Sequence, residues 1–269
     1  MTRVGGRTSG PLVIPAAVAL LFLAAPVAVL VARAVADGAF AEALAARAIW
    51  DALLLSLGTT LASLCIVVGF GTPLALGLAR RAFRWRAVVE TIVDLPIVLP
   101  PSVAGLALLL AFGRRGALGP AFEAVGVEVP FSTLAVIVAQ IFVAAPFFVR
   151  SARAGFAAVD PELEDAARVE GGGRWAVFRH VTAPLAASGL GAGLVLAWAR
   201  ALGEFGATIM FAGNIEGRTQ TLPLLVYSEF QGSLDAAIAA AAVLVIAALG
   251  VLVAVRLTRV QPDDDRAAT

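Results

Sequence analysis

The sequence predicts an all-α integral membrane protein of six transmembrane helices with both termini in the cytoplasm. Three observations lead there. The first is composition: of 269 residues, 60% are hydrophobic and only 14% charged, and the mean hydropathy is +0.93. Soluble domains carry about a quarter charged residues, so this chain takes a bilayer as its solvent. The second is six stretches without Asp, Glu, Lys, Arg or His. They are Leu12–Ala32, Ala52–Ala79, Leu95–Gly113, Val129–Val149, Val181–Ala199 and Ala236–Val255, of 21, 28, 19, 21, 19 and 20 residues. About 20 apolar residues cross roughly 30 Å of hydrocarbon. The runs are continuous rather than alternating, which selects helices over a closed barrel. The third is arginine placement. With the N-terminus inside, 14 arginines face the cytoplasm and 4 face outward (Arg47, Arg114, Arg115 and Arg218). That excess fixes the orientation.

The spans fall at about residues 12–35, 52–79, 95–112, 131–150, 184–211 and 236–256, in one transmembrane domain covering 1–269. The first follows Arg3 and Arg7, and exceeds the roughly 7–15 apolar residues of a signal peptide, so it is read as a retained helix. The third begins at Asp94-Leu-Pro-Ile-Val-Leu-Pro-Pro101. Its three prolines remove backbone donors and bend the chain, so residues 84–96 are read as an interfacial elbow. Gly189 and Gly193 form a GxxxG that permits close helix approach. The tail Gln261–Thr269 is read as short, polar and frayed.

Composition also excludes chemistry. All 20 basic residues are Arg, so the chain has no Lys for a phosphate-binding P-loop or a Schiff base. One Cys and one His exclude disulfides and any Cys/His zinc site within the chain. Cys65 is read as core packing. His180 is read as an interfacial or partner-facing polar residue. Glu90 and Asp94 are expected to pair with Arg84 or Arg86. The four tryptophans fall mostly near span ends, as aromatic belts do. The chain is not expected to be an enzyme, since no catalytic pair falls at membrane depth, and nucleic acid is not among its partners.

A cytoplasmic loop, residues 151–183, separates the fourth and fifth spans. Asp160 is suited to an N-cap and Pro161 to the first helical turn. Glu162, Glu164 and Asp165 complement the positive end of the helix dipole, and Gly171 to Gly173 stop the helix. A second helical stretch, Arg174 to Thr182, precedes Pro184. The loop is therefore read as a two-helix knob, with a solvated linker as the alternative that composition alone leaves open.

The pattern Asp165-Ala166-Ala167-x-x-x-Gly171, followed by Phe178, Val181 and Pro184-Leu185, resembles the EAA loop of ABC-importer permeases. Asp165 stands for the usual Glu, Gly172 for a small residue that is often Ala, and Ala183 for a Leu. The resemblance runs from about residue 50 to 255. It implies a type I ABC-importer permease bundle in which Asp165, Ala166, Ala167, Gly171 and Gly172 couple to a cytoplasmic ATPase. It further implies a homodimer, two ATPase subunits that use ATP and Mg, and no cofactor in this chain. A periplasmic oxyanion-binding protein and a bacterial inner membrane complete the expectation.

A third segment, Arg200-Ala-Leu-Gly203-Glu204-Phe-Gly206-Ala-Thr208, places ions at membrane depth, where each costs about 3 kcal/mol. Helical spacing puts Arg200, Glu204, Thr208 and Phe211 on one face, with Gly203 and Gly206 opposite. Two readings stand: a polar stripe on the translocation pathway, or an ion pair locking two helices. With Gly213-Asn214 the stretch resembles the molybdate and sulfate branch of these permeases. The continuation to Leu224 looks like the molybdate side, although Glu216 replaces a usual Pro. The resemblance implies a molybdate permease (tungstate, a similar dianion, included), with Arg200, Gly203, Glu204, Gly206, Thr208 and Asn214 near the pathway or gate. The alternative is a sulfate or thiosulfate permease subunit.

Overall fold

A computed structural model describes residues 10–36 and 38–259. The readings made of Arg3, Arg7, Arg266 and the tail Gln261–Thr269 lie outside the described residues. In chain order the helices are α1 (Gly10–Ala36), α2 (Ala39–Ala45), α3 (Arg47–Arg80), α4 (Arg86–Val98), α5 (Pro101–Phe112), α6 (Gly119–Ala124) and α7 (Thr133–Ala157). There follow α8 (Pro161–Val169), α9 (Arg174–Val177), a π-helical turn (Phe178–Thr182), α10 (Ala183–Leu185), α11 (Ala187–Leu202), α12 (Gly206–Phe211), α13 (Leu222–Gly232) and α14 (Leu234–Arg259). The described residues contain no strand.

Four helices, α1, α3, α7 and α14, are long and apolar enough to cross a bilayer unaided. Two bent pairs raise the number to six if each pair counts as one span: α4 with α5, at 118°, and Arg174–Leu185 with α11, at 73°. The first bend has a direct chemical cause. Leu99 and Pro100 are extended, at ψ 132° and 138°. Consecutive prolines remove donors and push the preceding residue out of the helical region. Pro101 then serves as the first residue of α5. The elbow helix α4 has no fully buried residue. It is held by ion pairs: Glu90 with Arg86 (2.9 Å) and Arg153 (2.6 Å), and Asp94 with Arg150 (3.7 Å).

Helix α7 is the hub, packed between α3 and α11. Leu64, Val67 and Leu78 of α3 meet Phe148, Ala152 and Phe156 of α7 and Ala197 and Ala201 of α11 in one core. Glycines set the α7–α11 spacing: a Cβ on Gly189 would lie 2.5 Å from Gly155 Cα, inside contact distance. Ser151 Oγ donates to the Gly189 carbonyl across the same contact, at 2.9 Å. Close backbone approach through small residues is how helices associate where lipid is as apolar as the side chains. Buried polar groups join α3 to α7 as well. Ser63 Oγ donates to Gln140 Oε1 (3.0 Å), and Gln140 Nε2 donates to Thr60 Oγ1 (3.3 Å). A second core unites α5, α7 and α12, and a third joins the start of α3 to α13 and α14.

Three sequence readings need correction. Cys65 is exposed rather than packed in the core. It lies on the outer surface of α3, four residues from exposed Leu61. In a membrane helix the outward side is as apolar as the inward side, so hydropathy does not tell them apart. Residues 212–235, to which the sequence reading assigned no helix, hold α13. The fifth span is not continuous over 184–211: α11 ends at Leu202, and α12 begins at Gly206.

Candidate functional site

The knob is built from its caps inward. Asp160 Oδ1 accepts from the Glu162 N–H at 2.9 Å and starts α8. Gly171 ends it in the left-handed region, at φ +92°, which glycine adopts without a Cβ penalty. The Gly172 N–H closes back onto the Ala167 carbonyl at 2.9 Å, and a Cβ there would lie 2.6 Å from that oxygen. The second stretch, Arg174–Thr182, is not uniform α-helix: its last five residues widen into a π turn.

Glu164 is the residue that the sequence reading undervalued. It is 6% exposed. Arg80, the last residue of α3, donates to Glu164 Oε1 at 2.9 Å and to the Val159 carbonyl at 3.1 Å. Thr182 Oγ1 donates to the same carboxylate oxygen at 2.7 Å, and Arg168 stands 3.6 Å from Oε2. One carboxylate therefore ties α8 to the end of α3 and to the turn that leads into α11. A buried, multiply bonded pair of this kind fixes relative position because either partner left alone is costly.

The five coupling candidates sit on the other side. Asp165, Ala166 and Gly171 are exposed, while Ala167 and Gly172 are half-buried. Asp165 pairs with Arg168. Around them Leu163, Val169 and Trp175 expose large apolar surfaces, 50%, 88% and 69%. The knob thus buries one carboxylate, Glu164, while large apolar side chains stand exposed among its surface charges. Large apolar side chains left exposed in this way make a candidate protein-binding surface.

The ion pair at the fifth span forms, but on different geometry from that predicted. Arg200 Nη2 lies 2.7 Å from Glu204 Oε2. The other oxygen accepts the Ala207 N–H at 2.7 Å, so Glu204 also caps α12, where its charge suits the positive helix end. Glu204 is 1% exposed, whereas the Arg200 side chain keeps 31%. The predicted shared face is broken at Gly203, which is itself exposed. Thr208 and Phe211 are fully buried in the core with α5 and α7, so they do not continue a polar stripe from Arg200. Gly206 serves packing rather than thinning the opposite surface: a Cβ there would lie 2.5 Å from Pro101 Cβ.

Asn214 belongs to the loop between α12 and α13. Its Nδ2 donates to Ser228 Oγ on α13 at 2.6 Å. Thr133 Oγ1 donates to the Arg218 carbonyl at 2.9 Å, and the Leu222 N–H donates to Ser56 Oγ at 2.8 Å. The loop is therefore tied to α3, α7 and α13 and does not share a cluster with Arg200 and Glu204. His180 is exposed, its Nδ1 3.0 Å from the Ala176 carbonyl.

Known proteins resemble this chain in sequence and in shape. The family model described as "Binding-protein-dependent transport system inner membrane component" matches residues 71–263. A molybdenum transport system permease protein of Mycobacterium tuberculosis is 40% identical over 242 residues, covering 90% of this chain and 91% of that protein. The counterpart in Escherichia coli is 42% identical over 183 residues, covering 68% of this chain and 80% of that protein. In shape the chain is similar to a bacterial ABC transporter involved in alginate import. That match has a TM-score of 0.76 at 19% identity and covers 94% of this chain and 95% of the other, which establishes a common fold. The bent helices, the glycine-spaced α7–α11 contact and the family match agree, and the chain belongs to the family of binding-protein-dependent transport system inner membrane components.

Proposed function

We propose that this chain is the membrane-spanning translocation subunit of an ATP-driven importer of molybdate, with tungstate as a similar tetrahedral dianion. The observation that carries this reading is its 40% identity, over 90% of its length, to a molybdenum transport permease. The protein is a transport subunit rather than an enzyme. Two identical copies supply one knob each to two cytoplasmic ABC ATPases, as twofold symmetry requires. ATP and Mg act in those partners, and a periplasmic oxyanion-binding protein delivers the cargo to the outer side of the bacterial inner membrane.

The geometry supports a mechanical role for the knob. Asp165, Ala166, Ala167, Gly171 and the apolar residues around them meet the ATPase. Glu164, behind them, passes the displacement to α3 through Arg80 and toward α11 through Thr182. Closure of the ATPase pair then tilts α3, α7 and α11 and opens the bundle outward, and hydrolysis resets it. Arg200 offsets cargo charge transiently, because a conduit that binds tightly cannot release.

The test is uptake of labelled molybdate into vesicles holding the purified complex. Uptake is expected to require ATP and the binding protein and to survive excess sulfate. Equal competition by sulfate would transfer the assignment to a sulfate permease.

A further inference from the structure

We propose that the cleft between the end of α3 and the coupling loop binds a phosphate group, delivered as the headgroup of an acidic membrane lipid. The proposal rests on the reading of this loop as the cytoplasmic face of an importer. The cleft encloses about 630 Å³. Four arginines line it, Arg80, Arg81, Arg168 and Arg174, against one carboxylate, Glu164. Two positive charges remain in excess even when Asp165, paired with Arg168, is counted with Glu164. Arg81 and Arg174 have no ion-pair partner among the described residues.

The shape of the cleft chooses the source of the phosphate. Pro73, Gly77 and Arg80 form one stripe along α3, a rise of about 10 Å, and Arg81 follows as its extended C-cap residue. The stripe runs from the apolar part of the span to its basic cytoplasmic end, and Val177 and Phe178 face it across the cleft. A free dianion would occupy only the basic end and leave the apolar wall wet. A phospholipid fills both, with its phosphate on the arginines and its chain along Pro73. Basic pockets beside transmembrane helices on the cytoplasmic side recognise anionic headgroups in this way. The bound phosphate would bridge Arg81, just after α3, to Arg174 on the loop, in parallel with the Arg80–Glu164 tie, and so brace the knob.

The experiment places the assembled complex in nanodiscs of phosphatidylcholine, with or without phosphatidylglycerol, and reads retained lipid by native mass spectrometry. The wild-type complex should retain phosphatidylglycerol. The double variant Arg81→Gln/Arg174→Gln should retain it about ten-fold less, from the loss of two basic contacts at the membrane surface. The single variant Arg174→Gln, at an exposed position, should show an intermediate loss, and its unfolding midpoint checks that it is folded. Arg84→Gln, whose guanidinium lies over the Trp85 ring outside the cleft, should behave as wild type. Equal retention by the double variant, or an equal loss in Arg84→Gln, would overturn the site. So would binding of inorganic phosphate or molybdate at these arginines without any response to phosphatidylglycerol. Uptake of molybdate is measured on the same preparation. Lipid retention without uptake would reject the transport reading alone, and uptake without retention would reject the site alone.

Discussion

Glu164→Ala is expected to collapse molybdate uptake by at least about ten-fold while the chain still inserts and spans the membrane. The carboxylate is 8% exposed at its side chain, and Arg80 is 21% exposed. Removing one partner of such a pair strands the other charge, at a cost of roughly 3 kcal/mol. The spans keep their own cores, because α3, α7 and α11 pack through Leu64, Phe148 and Ala197 rather than through the loop. The cost therefore falls on the connection between α8 and α3. The ATPase would still meet the exposed side of α8, but its movement would no longer reach α3. Glu164→Gln keeps an oxygen for Thr182 and Arg80 without the charge, and should fall between the two. Uptake and ATP hydrolysis measured on the same vesicles check this: hydrolysis should persist while uptake falls. Unchanged uptake in Glu164→Ala would remove the tie from the mechanism.

The second large effect is expected at the buried ion pair. Glu204→Ala leaves Arg200 as a lone cation at membrane depth, worth about 3 kcal/mol on insertion scales. It also strips the Ala207 N–H of its buried acceptor, a further cost of about 1–3 kcal/mol. The yield of folded protein in the membrane should drop sharply. The double variant Arg200→Met/Glu204→Gln removes both charges and keeps the side-chain volumes, so yield should recover. Uptake should nevertheless stay several-fold low, because the Arg200 side chain is 31% exposed while Glu204 has no exposure. We propose that Glu204 serves structure and Arg200 the pathway. Recovery of both yield and uptake would make the pair purely structural.

What the sequence made legible follows the physics it encodes. The six runs were visible because hydrocarbon demands length and neutrality. The elbow was visible because Pro96, Pro100 and Pro101 each forbid a donor. The start and stop of α8 were visible because Asp160, Pro161 and Gly171 act locally. The inward faces were not visible. Leu163 and Val169, the large apolar residues of α8, are exposed, whereas Glu164 is buried, so a hydrophobic-face argument assigns the knob backwards. The only cue was the i,i+4 spacing of Glu164 and Arg168, and its decisive partner, Arg80, lies 84 positions away. Thr208 was placed on a polar stripe by assuming an unbroken helix. Gly203 and Gly206 permitted a break, and the close approach of Gly206 to Pro101 was not visible in the sequence. The helix α13, eleven residues long, is too short to register as a span and too apolar to read as a turn.

The central claim is that the knob engages an ATPase through its outward apolar side, and solvent access at its tip tests that most directly. Val169, 88% exposed at the end of α8, is replaced in a Cys65→Ala background, and the Val169→Cys thiol is reacted with a water-soluble maleimide. Rapid labelling of the isolated chain and strong protection once the ATPase is bound are the predicted results. Equal labelling with and without the bound ATPase would contradict the account.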